Sequence, residues 1–311
     1  MSESIPSRIA VVGCGTVGAS WAAYFLSRGI EVSATDPGPG AEALLHRMVE
    51  QAWPVLEQLG LAEGADPSRL SFSDDLAVAL DGAEFVQESS PEREDLKIEL
   101  FAKLDGLTAP EVILASSTSG LLMTRIQSRC VSPERCVTGH PFNPPHLMPL
   151  VEVVGGEQTS AATVDRAMEF YRSIGKFPIH IRTEVIAHVA NRLQAAVFRE
   201  AIHLVASGVA SAADVDAAVA YGPGLRWALM GPLLTFHLAG GEGGIEHFMD
   251  HLSEANNIWF ADLSEDLITE ESAAAVVRGV TEEAAGRSVG ELVARRDAFL
   301  ADLLELRKRR P

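Results

Sequence analysis

Two patterns of apolar residues divide this chain. Up to about residue 182, short β-branched runs alternate with longer stretches whose apolar positions recur every three or four residues. The short runs are RIAVVG, IEVSATD, RLSFS, AEFVQESSPE, EVILASSTSG, RCVTG before His140, PLVEVVGG from Pro149, and FPIHIR. Their length, branching and glycine or polar ends predict strands. Between them ASWAAYFLSRG, Glu42 to Leu61, DDLAVAL, REDLKIELFAKLD and Thr159 to Gly175 predict helices, the second kinked or broken at Pro54. From Val185 onward the strands stop. VIAHVANRLQAAVFREAIHLVAS, SAADVDAAVAYG and the final GELVARRDAFLADLLELRKRR read as helices separated by glycine-rich turns. A run of strands and helices followed by helices alone implies two domains, residues 1–184 and an all-helical 185–311.

RIAVVG leads straight into Gly13, Cys14, Gly15, Thr16, Val17 and Gly18, and then into a helical pattern stopped by Gly29. Strand, GxGxxG and helix in that order predict an α/β Rossmann-type doubly wound sheet. The first glycine makes the tight turn, the second lets backbone approach a pyrophosphate, and the third lets helix and strand pack closely. Free N–H groups at the helix start then meet the phosphates. The next strand ends at Asp36, where a carboxylate accepts hydrogen bonds from a ribose diol and repels a 2′-phosphate. The expected cofactor is therefore NAD. For the glycines alone, the competing reading is a turn with nothing bound. Ser116, Ser117, Thr118 and Ser119 end a later strand at the edge where such sheets bind ligands. Helix capping is their competing use.

Residues 139–156, GHPFNPPHLMPLVEVVGG, put a histidine and a glutamate on either side of a proline-bearing loop. His140 sits where one strand runs out and Glu152 lies inside the next. Pro141, Pro144 and Pro145 leave the connection little freedom, which suits a catalytic imidazole whose geometry must be held. Such a ring can take a proton from a hydroxyl and return it, and a carboxylate on its far nitrogen would fix the tautomer. Against this stands a strand-end histidine with a solvent-facing glutamate.

At 311 residues, 47% of them hydrophobic, the chain can bury a core in each of two domains. No apolar run is long enough to span a membrane, and MSESIPSR lacks the basic-then-apolar order of a signal peptide, so a cytoplasmic protein is expected. Cys14, Cys130 and Cys136 have no metal spacing and cannot pair off evenly, which predicts structural thiols, a reducing compartment and no metal. A net charge of -18 argues against nucleic acid and mildly favours a cationic small molecule. The terminal KRR reads as a helix-dipole partner or a solvated end, not a nucleic-acid patch.

Taken in order, GCGTVG with Asp36, the ESSPEREDLKIELF block, SSTSG, GHPFNPP followed by LVEVVGG, and VANRLQ resemble the 3-hydroxyacyl-CoA dehydrogenase superfamily across nearly the whole chain. Within it, GAEFVQESSPEREDLKIELFAKLD, SSTSGLLMT and GPGLRWALMGPLLTFHLAGGEGG look most like the L-carnitine dehydrogenase branch, with the L-gulonate 3-dehydrogenases and lens lambda-crystallins next. The resemblance implies His140 as general base oriented by Glu152, and Ser119 and Asn191 on the reacting oxygen. It also implies Asn143 and Ser119 beside the nicotinamide, with Glu92 and Lys97 at NAD-contact positions. Read alone, Lys97 is a helix-surface charge and Asn191 a solvent-facing mid-helix residue. The family usually has a glycine and an aromatic just before the VANR-like segment, where this chain has Ala187 and His188. A homodimer is implied as well, with Leu193 to Val205 as a candidate interface and burial within one chain as the competing role of that helix.

The implied reaction is NAD-dependent oxidation of a small 3-hydroxy acid, L-carnitine by the nearest branch. Its trimethylammonium calls for aromatic faces, each worth about 0.5 to 2 kcal/mol by cation–π attraction. Phe142 and Trp227 are candidates, with Tyr221 and Phe236 behind them, and core packing is the competing role of each. Arg226 or Arg192 could hold the carboxylate. Three rivals stand beside this reading. They are a sugar-acid dehydrogenase acting on L-gulonate, a short-chain acyl-CoA dehydrogenase, which so acidic a chain disfavours, and a non-catalytic NAD-binding protein.

Overall fold

The computed structural model describes residues 5–309, so the first four residues of MSESIPSR and the last arginine of the KRR end lie outside the described residues. Eight strands form one sheet: β1 (Arg8–Val12), β2 (Glu31–Thr35), β3 (Leu70–Phe72), β4 (Phe85–Glu88), β5 (Ile113–Ser116), β6 (Cys136–Pro141), β7 (Leu150–Gly155) and β8 (Phe177–His180). Their order across the sheet is β3-β2-β1-β4-β5-β6-β7-β8. The first six strands run parallel; β7 pairs antiparallel with β6, and β8 runs parallel to β7. This is the doubly wound arrangement that the alternating pattern predicts, with an antiparallel extension at one edge.

Strands buried on both faces explain the near-continuous apolar runs. Ile9, Val11 and Phe85 join a core with Trp21, Phe25, Phe170 and Tyr171 on one side of the sheet, while Ala10, Val12 and Val86 pack with Phe101, Leu104 and Met123 on the other. The helix Ala41–Leu59 carries Pro54 inside it without ending there. Leu45, Val49, Ala52 and Leu56 are buried on both sides of the proline, and this docking outweighs the backbone hydrogen bond that proline cannot make.

The chain forms two compact units, one running to Asn191 and taking in the segment from Val293, the other Arg192–Leu292. Among the described residues no strand follows His180. The second unit is helical, with Ser211 and Thr269 capping Ala212–Tyr221 and Glu270–Ala284. Those two helices approach closely at Gly279, where an added Cβ would lie 2.7 Å from the Ala212 methyl. The helix read from Val185 begins at Ala190, because Ala187 and His188 adopt φ of 66° and 52°, in the left-handed region that interrupts a helix. No described helix is long and apolar enough to cross a membrane.

Candidate active site

Parallel strands bring their carboxyl ends to one edge of the sheet. Val12, Glu88, Ser116 and Thr138 lie in a single row across β1, β4, β5 and β6. Gly13, Ser89 and Ser117 each follow that row by one residue and His140 by two. Residues far apart in sequence therefore share one rim.

At that rim the three motif glycines divide their work. Gly13 has φ of 97°, and a Cβ there would sit 2.6 Å from the Ser89 backbone. A Cβ on Gly18 would lie 1.8 Å from the Gly13 carbonyl oxygen, so helix and turn touch directly. A Cβ on Gly15 would meet nothing within 4 Å. That open space faces the start of Thr16–Ser27, which has neither a side-chain cap nor an acidic residue in its first turn. An uncapped helix N-terminus beside a cradle that a single methyl would enter fits a dinucleotide pyrophosphate. Asp36 accepts hydrogen bonds from Cys14 N–H at 2.8 Å and Gly38 N–H at 2.7 Å, so it shapes the turn and still presents free lone pairs.

The ESSPEREDLK block builds the neighbouring wall. Lys97, which read alone as a surface charge, is 1% exposed; its ammonium donates to Glu88 at 2.7 Å and to the Ser90 carbonyl at 3.1 Å. Glu88, 0% exposed, also accepts from the Ser90 N–H and hydroxyl and from the Ser116 hydroxyl. Helical periodicity could not find this pair, since its partner lies on the preceding strand. Glu92 accepts from the Thr118 hydroxyl at 2.6 Å and the Ser119 N–H at 2.8 Å, with Lys97 Nζ 3.7 Å from its other oxygen. Asn191, at the second position of its helix, donates to the Ser119 carbonyl at 3.2 Å. Glu92, Lys97, Ser119 and Asn191 are thus one connected group. Asn143 is exposed on the loop between β6 and β7.

His140 and Glu152 are register partners on β6 and β7. Cross-strand neighbours share a face, and His140 Nδ1 lies 2.8 Å from Glu152 Oε2. Glu152 is 0% exposed, and its Oε1 accepts from Val189 and Ala190 N–H, both at 2.9 Å. These donors open the helix Ala190–Ala206, whose positive end faces the carboxylate. Burial alone would raise the Glu152 carboxyl, but the hydrogen bonds from His140, Ala190 and Val189 outweigh it and hold the group below the usual glutamate range. An ionised Glu152 takes the Nδ1 proton as its donor, so the lone pair of His140 sits on Nε2. Nε2 has no hydrogen-bond partner among the described residues.

Two pins outside the motifs hold the intervening loop. Ser20, on the helix after the glycine turn, receives a hydrogen bond from His146 N–H at 2.8 Å and contacts its Nδ1 at 2.7 Å. Lys176, buried over the Tyr24 ring at 3.4 Å, donates to the carbonyls of Pro145 and Met148. Neither residue stood out by spacing or composition. Phe142 is half-buried, with its ring centroid 6.4 Å from that of His140. Trp227 and Arg226 lie in the helical unit on Pro223–Trp227, both exposed, and Phe236 there packs on Phe248 at 4.9 Å. Among the described residues no cluster of side chains could hold a metal ion, and the three cysteines are free.

The model of the 3-hydroxyacyl-CoA dehydrogenase NAD-binding domain matches residues 8–185, and that of the C-terminal domain matches residues 188–275. The chain belongs to the 3-hydroxyacyl-CoA dehydrogenase family. Its glycine turn and acidic strand end are those of an NAD-binding domain. This family member is 53% identical to an L-carnitine dehydrogenase of Streptomyces coelicolor over 96% of the chain and 93% of that protein. Identity to an L-carnitine dehydrogenase of Bacillus cereus is 47%, over 98% and 94%. Among solved structures, it resembles 5-formyl-3-hydroxy-2-methylpyridine 4-carboxylic acid 5-dehydrogenase, an NAD+-dependent dismutase, at 31% identity and TM-score 0.83, covering 96% of this chain and 98% of that one.

Proposed function

We propose that this protein oxidises the 3-hydroxyl of L-carnitine to 3-dehydrocarnitine with NAD. The observation that carries the reading is the 2.8 Å contact between His140 Nδ1 and Glu152, which leaves Nε2 as a base on the sheet edge that bears the glycine turn. The choice of substrate rests on relatives of about half identity that are L-carnitine dehydrogenases.

NAD, held at the glycine turn and Asp36, supplies the hydride acceptor. His140 Nε2 takes the hydroxyl proton as the carbon-bound hydrogen leaves, and Glu152 balances the imidazolium that results. Proton transfer by a positioned side chain contributes about a hundred- to ten-thousandfold in rate. Ser119 and Asn191 orient the reacting oxygen, Ser119 and Asn143 lie beside the nicotinamide, and Glu92 contacts NAD with the buried Lys97 behind it. Phe142 beside His140 and the exposed Trp227 are assigned to the trimethylammonium, and Arg226, whose guanidinium has no partner among the described residues, to the carboxylate. In this reading residues 1–184 hold the cofactor of a cytoplasmic enzyme, and the helical residues 185–311 serve substrate recognition and homodimer formation. Leu193 and Phe198, 56% and 54% exposed on their helix, support that interface.

The test follows NADH absorbance at alkaline pH with L-carnitine, D-carnitine, L-gulonate and 3-hydroxybutyryl-CoA. L-Carnitine is expected to react fastest, and a lead for L-gulonate would transfer the reading to the sugar-acid branch. Unchanged KM for L-carnitine in Phe142→Ala and Trp227→Ala would remove the aromatic cage alone.

A further inference from the structure

His188 departs from the family pattern and has no part in the proton transfer described above, yet it is 2% exposed. Its Nε2 lies 3.0 Å from the Thr118 carbonyl oxygen. A carbonyl only accepts, so Nε2 carries the proton and Nδ1 keeps a lone pair, which is buried and has no partner. The ring centroid stands 5.1 Å from that of His140. Burial, reinforced by the His140 charge, holds this imidazole below its usual range despite the Thr118 contact.

The backbone at this point is equally unusual. Ala187 and His188 are consecutive residues with positive φ, and neither is glycine. Such a conformation persists only where the surroundings hold it. The holding contacts are visible on both sides. A Cβ on Gly120 would lie 3.3 Å from Ala187 N, so the Ser119–Gly120 turn abuts the strained segment, and His188 Nε2 ties the same segment to Thr118. The strained residues are followed directly by the Val189 and Ala190 N–H groups that grip Glu152 Oε1. The next residue, Asn191, donates to the Ser119 carbonyl.

We propose that His188 is a positioning residue for the oxidation. By donating to the Thr118 carbonyl from a left-handed backbone, it locks the segment that delivers two amide donors to Glu152 against the strand end that carries Ser119. It thereby couples the orientation of the His140 base to the group that holds the reacting oxygen. The role rests on the functional reading above, because it acts on the same His140 and Ser119.

The test compares full-length parent, His188→Phe and His188→Gln by steady-state kinetics with L-carnitine and NAD, by NAD titration, and by thermal melting. Phenylalanine fills the site but cannot donate; the glutamine amide can reach Thr118. Misplacement of catalytic groups lowers rate steeply, so kcat in His188→Phe is expected to fall about tenfold or more, with KM for L-carnitine changing far less and NAD affinity retained. His188→Gln is expected to restore most of that kcat. Parental kcat in His188→Phe, or equal losses in both variants, overturns the role alone. A parent that reduces NAD with none of the four substrates named above overturns the functional reading and this role together.

Discussion

A fully buried carboxylate stays ionised only if donors reach both of its oxygens, and Glu152 meets that condition with His140 on one and two helix-start amides on the other. Glu152→Gln keeps the shape but removes the charge that steadies the imidazolium. Its kcat is expected to fall by roughly a hundredfold or more while NAD affinity stays at the parental level, measured by NADH formation and by fluorescence titration of NAD. The same group sets a pH dependence of stability. Its folded pKa is depressed, so its contribution is fully present above the unfolded glutamate value of about 4.3 and is lost as pH falls through the lower folded value. Below about pH 4.3, thermal melts of the parent should therefore drop more steeply than those of Glu152→Gln.

The glycine turn separates binding from folding within six residues. Gly15 has negative φ and open space where a Cβ would point, so Gly15→Ala should fold with an unchanged melting temperature. The added methyl then enters the phosphate cradle, and the KM for NAD should rise by about tenfold or more, which a titration of initial rate against NAD measures. Gly18→Ala forces a methyl against the Gly13 carbonyl and should behave oppositely, losing about 1 to 3 kcal/mol of stability in a denaturant melt. Equal effects of the two substitutions on melting temperature would contradict this division. The loop from Pro141 to Pro149 shows a second way to hold an element still. Its prolines restrict it locally, but Ser20 on the helix after the glycine turn and Lys176 just before β8 anchor it from elsewhere in the chain.

A charge of -18 acts on substrates before they reach the site. L-Carnitine is a zwitterion with no net charge near neutral pH, whereas 3-hydroxybutyryl-CoA carries several negative charges. Raising ionic strength screens the repulsion of the second and leaves the first largely untouched. The kcat/KM for 3-hydroxybutyryl-CoA should therefore climb between low and physiological salt, while that for L-carnitine stays flat. A salt dependence shared by both substrates would show that the acidic surface has no part in discriminating between them.

Much of this was legible from the chain alone. The eight strand runs, the glycine motif closed by Asp36, and a histidine and glutamate on successive strands are local patterns, because backbone geometry ties strand and turn to spacing over a few residues. Helix starts were less legible. Val185 to Val189 reads as helical by composition, but Ala187 and His188 are held in a left-handed conformation by Gly120 and Thr118, which come from another strand end. Lys97 read as a surface charge because its helix shows no sign of Glu88, which the sheet brings beneath it. Residue types and spacing therefore determined the elements and singled out His140 and Glu152 as the candidate pair. Only the tertiary structure decided which donor meets which acceptor, since a buried charge is stable only where strand order and packing carry a partner to it from a distant part of the chain.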